Sequence, residues 1–359
     1  MLVIDVQQTK EPQTMKNLKF IITALLLLAC GSIAYACSRV VYLGDDGTIL
    51  AGRTLDWRTP IPTNLYVYPA GIAKESMPSG PRFQWVSKYG SVLAVGYDGG
   101  VTEGMNEKGL EVSGLFCKTA VYRTADGSND TPVMSLSVFV SYFLDNFATV
   151  DEVEQWLNTN DFGISGKTFD GGTVSLLHWA LTDRTGESLI MEFIDGKMNL
   201  YKGRDLQVLT NDPAYPQMQT IEKFWEGVGG VNMMPGGVKS PDRFVRASFF
   251  IRHVPTNVDY NSAWGCLASI MGTVSVPYGY EIEGEPNVSS TQWRSIADIS
   301  GGKYYFHFTD SFGDFWIDLG RLSLTPGSPI LKLDTSKHID MTGCVNGHLK
   351  KSQGFTPMW

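Results

Sequence analysis

The sequence predicts an α+β fold built in layers, and three observations predict it. Segments with strand character come in runs instead of alternating one by one with helices. Two regions of helical periodicity, 132–158 and 240–273, are gathered between those runs. Turn chemistry (Gly-Asp-Asp-Gly, Asn-Glu-Lys-Gly, Arg-Thr-Gly) punctuates the strand segments. Strands and helices segregated in this way argue for packed layers of each kind. With 43% hydrophobic residues and 38 glycines in 359 residues, the chain can bury a sizeable core.

The elements follow in order. Residues 15–36, MKNLKFIITALLLLACGSIAYA, carry a charged start (Lys16, Lys19), an apolar run and the small-x-small end Ala34-Tyr35-Ala36. That is the pattern of a secretory signal, with Met15 as the expected start and Cys37 as the first residue after the cut. The apolar run is too short to span a bilayer comfortably, and no second one follows. A competing reading takes Leu27-Leu28-Ala29-Cys30 as a lipoprotein box with Cys30 lipidated. Export is expected, and residues 37–359 are read as a single catalytic domain.

From Cys37, CSRVVYL and TILAGRTL form a hairpin around Gly44–Gly47. SVLAVGY and LEVSGLF suggest a second hairpin, with Asn106–Gly109 as an ordinary turn. TPVMSLSVFVSYFLDNFATVDEVEQWLN has spacing for one helix, then a shorter one from near Asp151. Strands resume in TVSLLHWALTD, SLIMEFID, KMNLYKG and LQVLTN. SPDRFVRASFFIRHV and the segment near 260–273 are helical, with Ser240 expected as a cap and Pro241 suited to the first turn. KYYFHFTD and DFWIDLG return to strand.

Composition excludes some functions. The net charge of −8 argues against a nucleic-acid partner, which needs clustered Lys and Arg. Cysteines at 30, 37, 117, 266 and 344, like the five histidines, are scattered without metal-ligand spacing. No metal or other cofactor is expected. Disulfides among Cys117, Cys266 and Cys344 stay open.

The hairpin brings residues whose numbers sum to 91 or 92 opposite each other. Cys37 then faces Thr54 or Leu55, with Arg53 and Asp56 close by. A guanidinium favours a thiolate, and a freed α-amine can take the thiol proton, which an amide nitrogen cannot. Cutting after Ala36 would thus create the base. The alternative is a small buried cysteine beside a surface Arg–Asp pair.

CSRVVYLGDDGTILAGRTLDW resembles the N-terminus of the choloylglycine hydrolase family, which contains bile salt hydrolases and penicillin V acylases. The resemblance continues through GMNEKGLEVSGL, SLLHWALTD, VLTND and SPDRFVR, in order along the chain from Cys37. It implies a four-layer αββα N-terminal-nucleophile fold and hydrolysis of a linear amide. By this resemblance Cys37 is the nucleophile and its α-amine the base. Arg53 and Asp56 set its electrostatics, the Asn211 side chain donates to the oxyanion, and Arg243 completes the cluster. Phe116 stands where family bile salt hydrolases commonly carry asparagine and penicillin V acylases often tyrosine. Its ring is expected to line the site. The interval between VLTND and DRFVR is short beside Gram-positive bile salt hydrolases, whose extra segment helps assemble tetramers, and this suggests the Gram-negative branch, hence a periplasmic enzyme. A homo-oligomer, tetramer or dimer, is expected.

The expected substrate is a small-molecule amide with a bulky apolar acyl group: a glycine or taurine bile salt first, then penicillin V or an N-acyl homoserine lactone. A secreted, catalytically inactive binding protein on the same scaffold is the rival of another class. His178 reads as a satisfied core histidine and Glu192 as a carboxylate of unknown partner. Arg246 is positioned to pair with an acid.

Overall fold

The computed structural model describes residues 37–123, 130–166, 168–169, 173–281 and 289–359. The signal-like segment, Met15 and Cys30 lie outside them. Along the chain come β1 (Ser38–Leu43), β2 (Ile49–Trp57), β3 (Thr63–Tyr68), β4 (Ser91–Gly96), β5 (Gly100–Asn106) and β6 (Glu111–Phe116). Helices α1 (Leu136–Asn146) and α2 (Val150–Thr159) follow. Then come β7 (Leu177–Thr182), β8 (Ser188–Ile194), β9 (Lys197–Lys202) and β10 (Val208–Leu209). Three helices succeed them: α3 (Tyr215–Val228), α4 (Ser240–His253) and α5 (Tyr260–Val274). The final strands are β11 (Ser290–Asp298), β12 (Lys303–Phe308), β13 (Phe315–Asp318), β14 (Leu331–Leu333), β15 (Gly343–Cys344) and β16 (Lys350–Lys351).

These strands make two large sheets. One has seven strands in the order β10-β1-β2-β11-β12-β13-β15, the other nine in the order β9-β8-β7-β6-β5-β4-β3-β14-β16. Alternation along each strand supplies two faces. Val41, Ala51 and Leu55 of the first sheet meet Leu65, Val92, Ala94 and Met105 of the second. On the other faces, Val40, Tyr42 and Leu50 pack under Phe244, Leu267 and Met271, and Val112, Trp179 and Met191 pack under Phe139, Phe143 and Val153. The result is the four-layer α+β sandwich, helices outside and sheets inside.

The first hairpin forms as its turn chemistry predicts. Gly47 sits at φ +88°, a conformation that glycine adopts without steric cost, and Gly44 N–H donates to the Thr48 carbonyl at 2.7 Å. Ser38 pairs with Thr54 and Arg39 with Arg53, so paired numbers sum to 92. Arg39 and Arg53 are therefore like charges directly opposite each other, an arrangement that is ordinarily destabilising. Each reaches a separate carboxylate on the facing sheet: Arg39 donates to Glu111 and Arg53 to Glu103, the latter at 2.9 Å.

Three expectations change. SVLAVGY and LEVSGLF do not pair, because β5 lies between them and bonds to both. Ser240 is no side-chain cap: α4 has Lys239 at its N-cap position, and the Ser240 hydroxyl donates to Thr210 Oγ1 at 2.9 Å. Pro241 does occupy the first turn. Helix α3 went unread because only Tyr215 and Met218 of its fourteen residues are buried, which leaves little apolar stripe. Among the described residues, Cys37, Cys117, Cys266 and Cys344 are free thiols, and no helix is long and apolar enough to cross a membrane.

Candidate active site

Cys37 directly precedes β1 and is 5% exposed. Its backbone N–H donates to Asn211 Oδ1 at 2.6 Å, and its carbonyl accepts from Arg243 Nη1 at 2.7 Å. The thiol points at the Asp56 carbonyl, 4.0 Å away. One residue on, Ser38 N–H donates to Thr54 Oγ1 at 3.0 Å, and Thr54 Oγ1 donates to Asp56 Oδ2 at 3.1 Å. The hairpin alone brings Arg53, Thr54 and Asp56 to this end of β1.

Asn211 and Arg243 come from elsewhere in the chain. Asn211 lies two residues beyond β10, which pairs with β1 (Arg39 opposite Leu209). Its Oδ1 also accepts from Arg243 Nη2 at 2.9 Å, while its Nδ2 donates to the Phe116 carbonyl at 2.6 Å. Two donors on one side and one acceptor on the other fix the amide orientation. Arg243 sits in the first turn of α4, wholly buried. Its guanidinium also donates to the Val238 carbonyl, at 2.9 Å, and to Ser38 Oγ.

Burial dominates the electrostatics. Removal from water pushes the Asp56 carboxyl up to about 6, against the opposing pull of Arg243, Thr291, Thr54 and Arg53. Among the described residues Asp56 Oδ1 has no hydrogen-bond partner. Burial likewise pulls Arg243 below the usual arginine value, with Asp56 and Cys37 opposing. For Arg53 burial is outweighed by Glu103 and Cys37, which raise it. Its Nη2 also donates to the Gly114 carbonyl at 2.7 Å.

A cavity of about 830 Å³, counting its open mouth, lies above this cluster. Cys37, Arg53 and Asp56 contribute to its lining beside Phe116, Leu55 and Val101. Phe116 packs against Trp57, another lining residue, with ring centroids 5.4 Å apart. Leu136, Leu177 and Met358 also line it, none of them singled out from the sequence. Apolar residues on strands and helices look like core residues until a cavity is seen beside them.

The remaining sequence candidates resolve structurally. Asn106 holds the turn: its Nδ2 donates to the Leu144 and Phe147 carbonyls at 2.8 Å, and its Oδ1 accepts two backbone N–H groups. Arg246 donates to the carbonyls of Pro235, Gly237 and Thr273, where an acidic partner was expected. His178, wholly buried, sets Nδ1 against Glu192 Oε1 at 2.9 Å and Nε2 against the Thr210 carbonyl at 2.7 Å. Burial works against its protonation, but Cys117 and Glu192 hold its pKa well above the ordinary histidine value. Glu192 Oε2 accepts from Tyr215 N–H at 2.9 Å. Cys117, His178 and Glu192 are close enough together to hold a metal ion. Both ring nitrogens face protein oxygens, Glu192 on one side and the Thr210 carbonyl on the other.

The comparisons with known proteins agree with this architecture. Residues 37–339 match the pattern of the linear amide C–N hydrolases, choloylglycine hydrolase family. Penicillin V acylase of Pectobacterium atrosepticum is 35% identical, over 95% of this chain and 97% of that protein. Bile salt hydrolase/transferase of Bifidobacterium longum is 25% identical, over 76% and 92%. A solved penicillin V acylase from Agrobacterium tumefaciens superposes with TM-score 0.83 at 37% identity, covering 90% of this chain and 99% of that one. A mutant conjugated bile acid hydrolase from Clostridium perfringens superposes at 0.71 and 22% identity, over 86% and 99%, a likeness of fold alone. The chain belongs to the choloylglycine hydrolase family of linear amide C–N hydrolases.

Proposed function

We propose that the chain is an exported N-terminal cysteine amidohydrolase, matured by cleavage after Ala36, whose preferred substrate is an amide with a compact apolar acyl group of the penicillin V type. The sequence alone put conjugated bile salts first. The identities of 35% and 37% to penicillin V acylases, against 25% to a bile salt hydrolase/transferase, favour the other order. The observation that carries the reading is the position of Cys37: its thiol borders an apolar cavity while its backbone nitrogen is held by Asn211.

In this mechanism the freed α-amine takes the Sγ proton, and the thiolate attacks the amide carbonyl carbon. Asn211 Oδ1 keeps the amine oriented, and Asp56 Oδ1, without a hydrogen-bond partner among the described residues, is assigned as its carboxylate acceptor. An amide nitrogen carries two hydrogens. One of those on Asn211 Nδ2 faces Phe116, and the other is assigned to the developing oxyanion. Collapse of the tetrahedral intermediate passes the proton to the leaving amine and leaves an acyl thioester, which water hydrolyses. Arg53 and Arg243 place positive charge beside the reacting group, each interacting electrostatically with Cys37.

The test is N-terminal sequencing of the mature protein, followed by release assays on penicillin V, glycocholate and taurocholate. A mature chain beginning at Cys37 with penicillin V turned over fastest is expected. Full activity with residues retained before Cys37, or after complete alkylation of its thiol, would overturn the mechanism. Faster release from either bile salt would overturn the substrate order.

A further inference from the structure

One wall of the cavity above Cys37 comes from the far end of the chain. Met358 lines it together with Gly100, Val101, Leu136 and Ser137. The matched family region stops at 339, so this wall lies outside it. The segment is fastened at several points. Thr356 N–H donates to the Asp98 carbonyl at 3.2 Å and Met358 N–H to the Gly99 carbonyl at 3.0 Å. The Met358 carbonyl accepts from Ser137 Oγ at 2.6 Å. Upstream, Phe355 N–H donates to Tyr68 OH at 3.0 Å, and the Phe355 ring packs edge-on against Tyr66 and Tyr68.

The turn that receives the segment is shaped for it. Tyr97 and Asp98 adopt positive φ, +53° and +50°, which non-glycine residues rarely do. Asp98 is held there by Lys332 (2.6 Å), Asn64 (2.8 Å) and the Tyr66 hydroxyl (3.0 Å). A Cβ on Gly99 would come within 2.7 Å of Met358 Cγ, so the missing side chain is the space the methionine occupies. An unbranched thioether seated on glycine is an adaptable wall for an apolar ligand.

We infer that the 354–358 segment is a strap closing the acyl pocket, and that Met358 is a specificity residue limiting the size of acyl group accepted. The inference rests on reading the cavity as the acyl site. Shortening the side chain removes contact with a small acyl group and opens room for a longer one. Restoring its bulk restores the limit.

The experiment uses mature protein and p-nitroanilides that share one leaving group and differ only in acyl chain, phenoxyacetyl against decanoyl. Met358→Ala should raise KM for the phenoxyacetyl compound about fivefold and shift the kcat/KM ratio toward decanoyl by a similar factor. Met358→Leu should stay within about twofold of wild type. Equal loss on both compounds after correction for folded fraction, or no shift in the ratio, overturns the inference. A parallel arm measures calorimetric binding of phenoxyacetate and decanoate to wild type and to Met358→Ala. It reads the wall even if no anilide is cleaved, a result that would count against the amidohydrolase reading alone. Unchanged relative affinity of the two acids overturns the inference in that case too.

Discussion

Replacing Asn211 by alanine should damage chemistry and stability by separable amounts. The amide group serves three buried partners: Cys37 N–H, Arg243 Nη2 and the Phe116 carbonyl. Each buried group left without a partner costs about 1–3 kcal/mol, so the variant should lose roughly 3–9 kcal/mol. In a protein of this size Tm should fall by about 5–13 °C. The loss of an oxyanion donor is separate and lowers kcat on the order of 100- to 1000-fold. The assay is penicillin V release at a temperature well below the transition, normalised to the folded fraction by circular dichroism. Asn211→Asp divides the two roles of the amide. It keeps an acceptor for Cys37 and Arg243 but loses both N–H donors. If donation matters, the two variants should be equally poor catalysts. Turnover per folded Asn211→Ala molecule within about threefold of wild type would refute the argument and leave Asn211 as a structural clamp.

Four further predictions follow from the same geometry. Because burial pushes the Asp56 carboxyl up to about 6 and its charged form is assigned to hold the α-amine, kcat/KM should lose a further factor on the acid side of about pH 6, and Asp56→Asn should be a poorer enzyme at every pH and lack that factor. For folding the sign is opposite. A carboxyl raised from 3.8 to about 6 stabilises the native state below pH 3.8, and that contribution, about 3 kcal/mol, is lost as pH rises through 6. Urea titrations of wild type and Asp56→Asn at pH 4 and 8 should show the difference between the two proteins changing in that direction. Phe116→Ala should raise KM for penicillin V at least tenfold and alter the penicillin-to-bile-salt ratio, leaving the glycine-to-taurine preference unchanged. Glu103→Ala strands the buried Arg53 guanidinium and should cost about 3–5 kcal/mol in urea unfolding, with Glu103→Gln costing less.

What could be read from the residues was local. The 44–47 turn and the alternation on either side of it determine the hairpin register, so Arg53 and Asp56 could be placed beside Cys37 by counting. The helices at 136–146 and 150–159 announce themselves by spacing, while the reciprocal Thr149–Glu152 cap that starts the second went unread. The rest depends on contacts distant in sequence. Asn211 reaches Cys37 across 174 positions, and no turn or period specifies that approach. Only the family resemblance pointed to it. Strand β11 went unread although Trp293, Ser295 and Ala297 alternate correctly, because its polar residues gain their meaning from lying between β2 and β12. Met358 could not be read at all: a methionine near the end of a chain signals nothing until the cavity it borders is assembled.

The facing arginines of β1 and β2 have a consequence for how the two sheets find each other during folding. Apolar side chains at a sheet interface tolerate sliding, since one leucine greets another almost as well as a third. Charged groups do not. With Arg39 bound to Glu111 and Arg53 to Glu103, each cation has its own anion. A one-residue slip of the strand that carries Glu103 or Glu111 would turn that carboxylate to the opposite face and leave its arginine unpaired in the dry layer. Misaligned intermediates are therefore penalised far more than native stacking is rewarded. The pairs act as an assembly key: they proofread the alignment on which every distance around Cys37 depends.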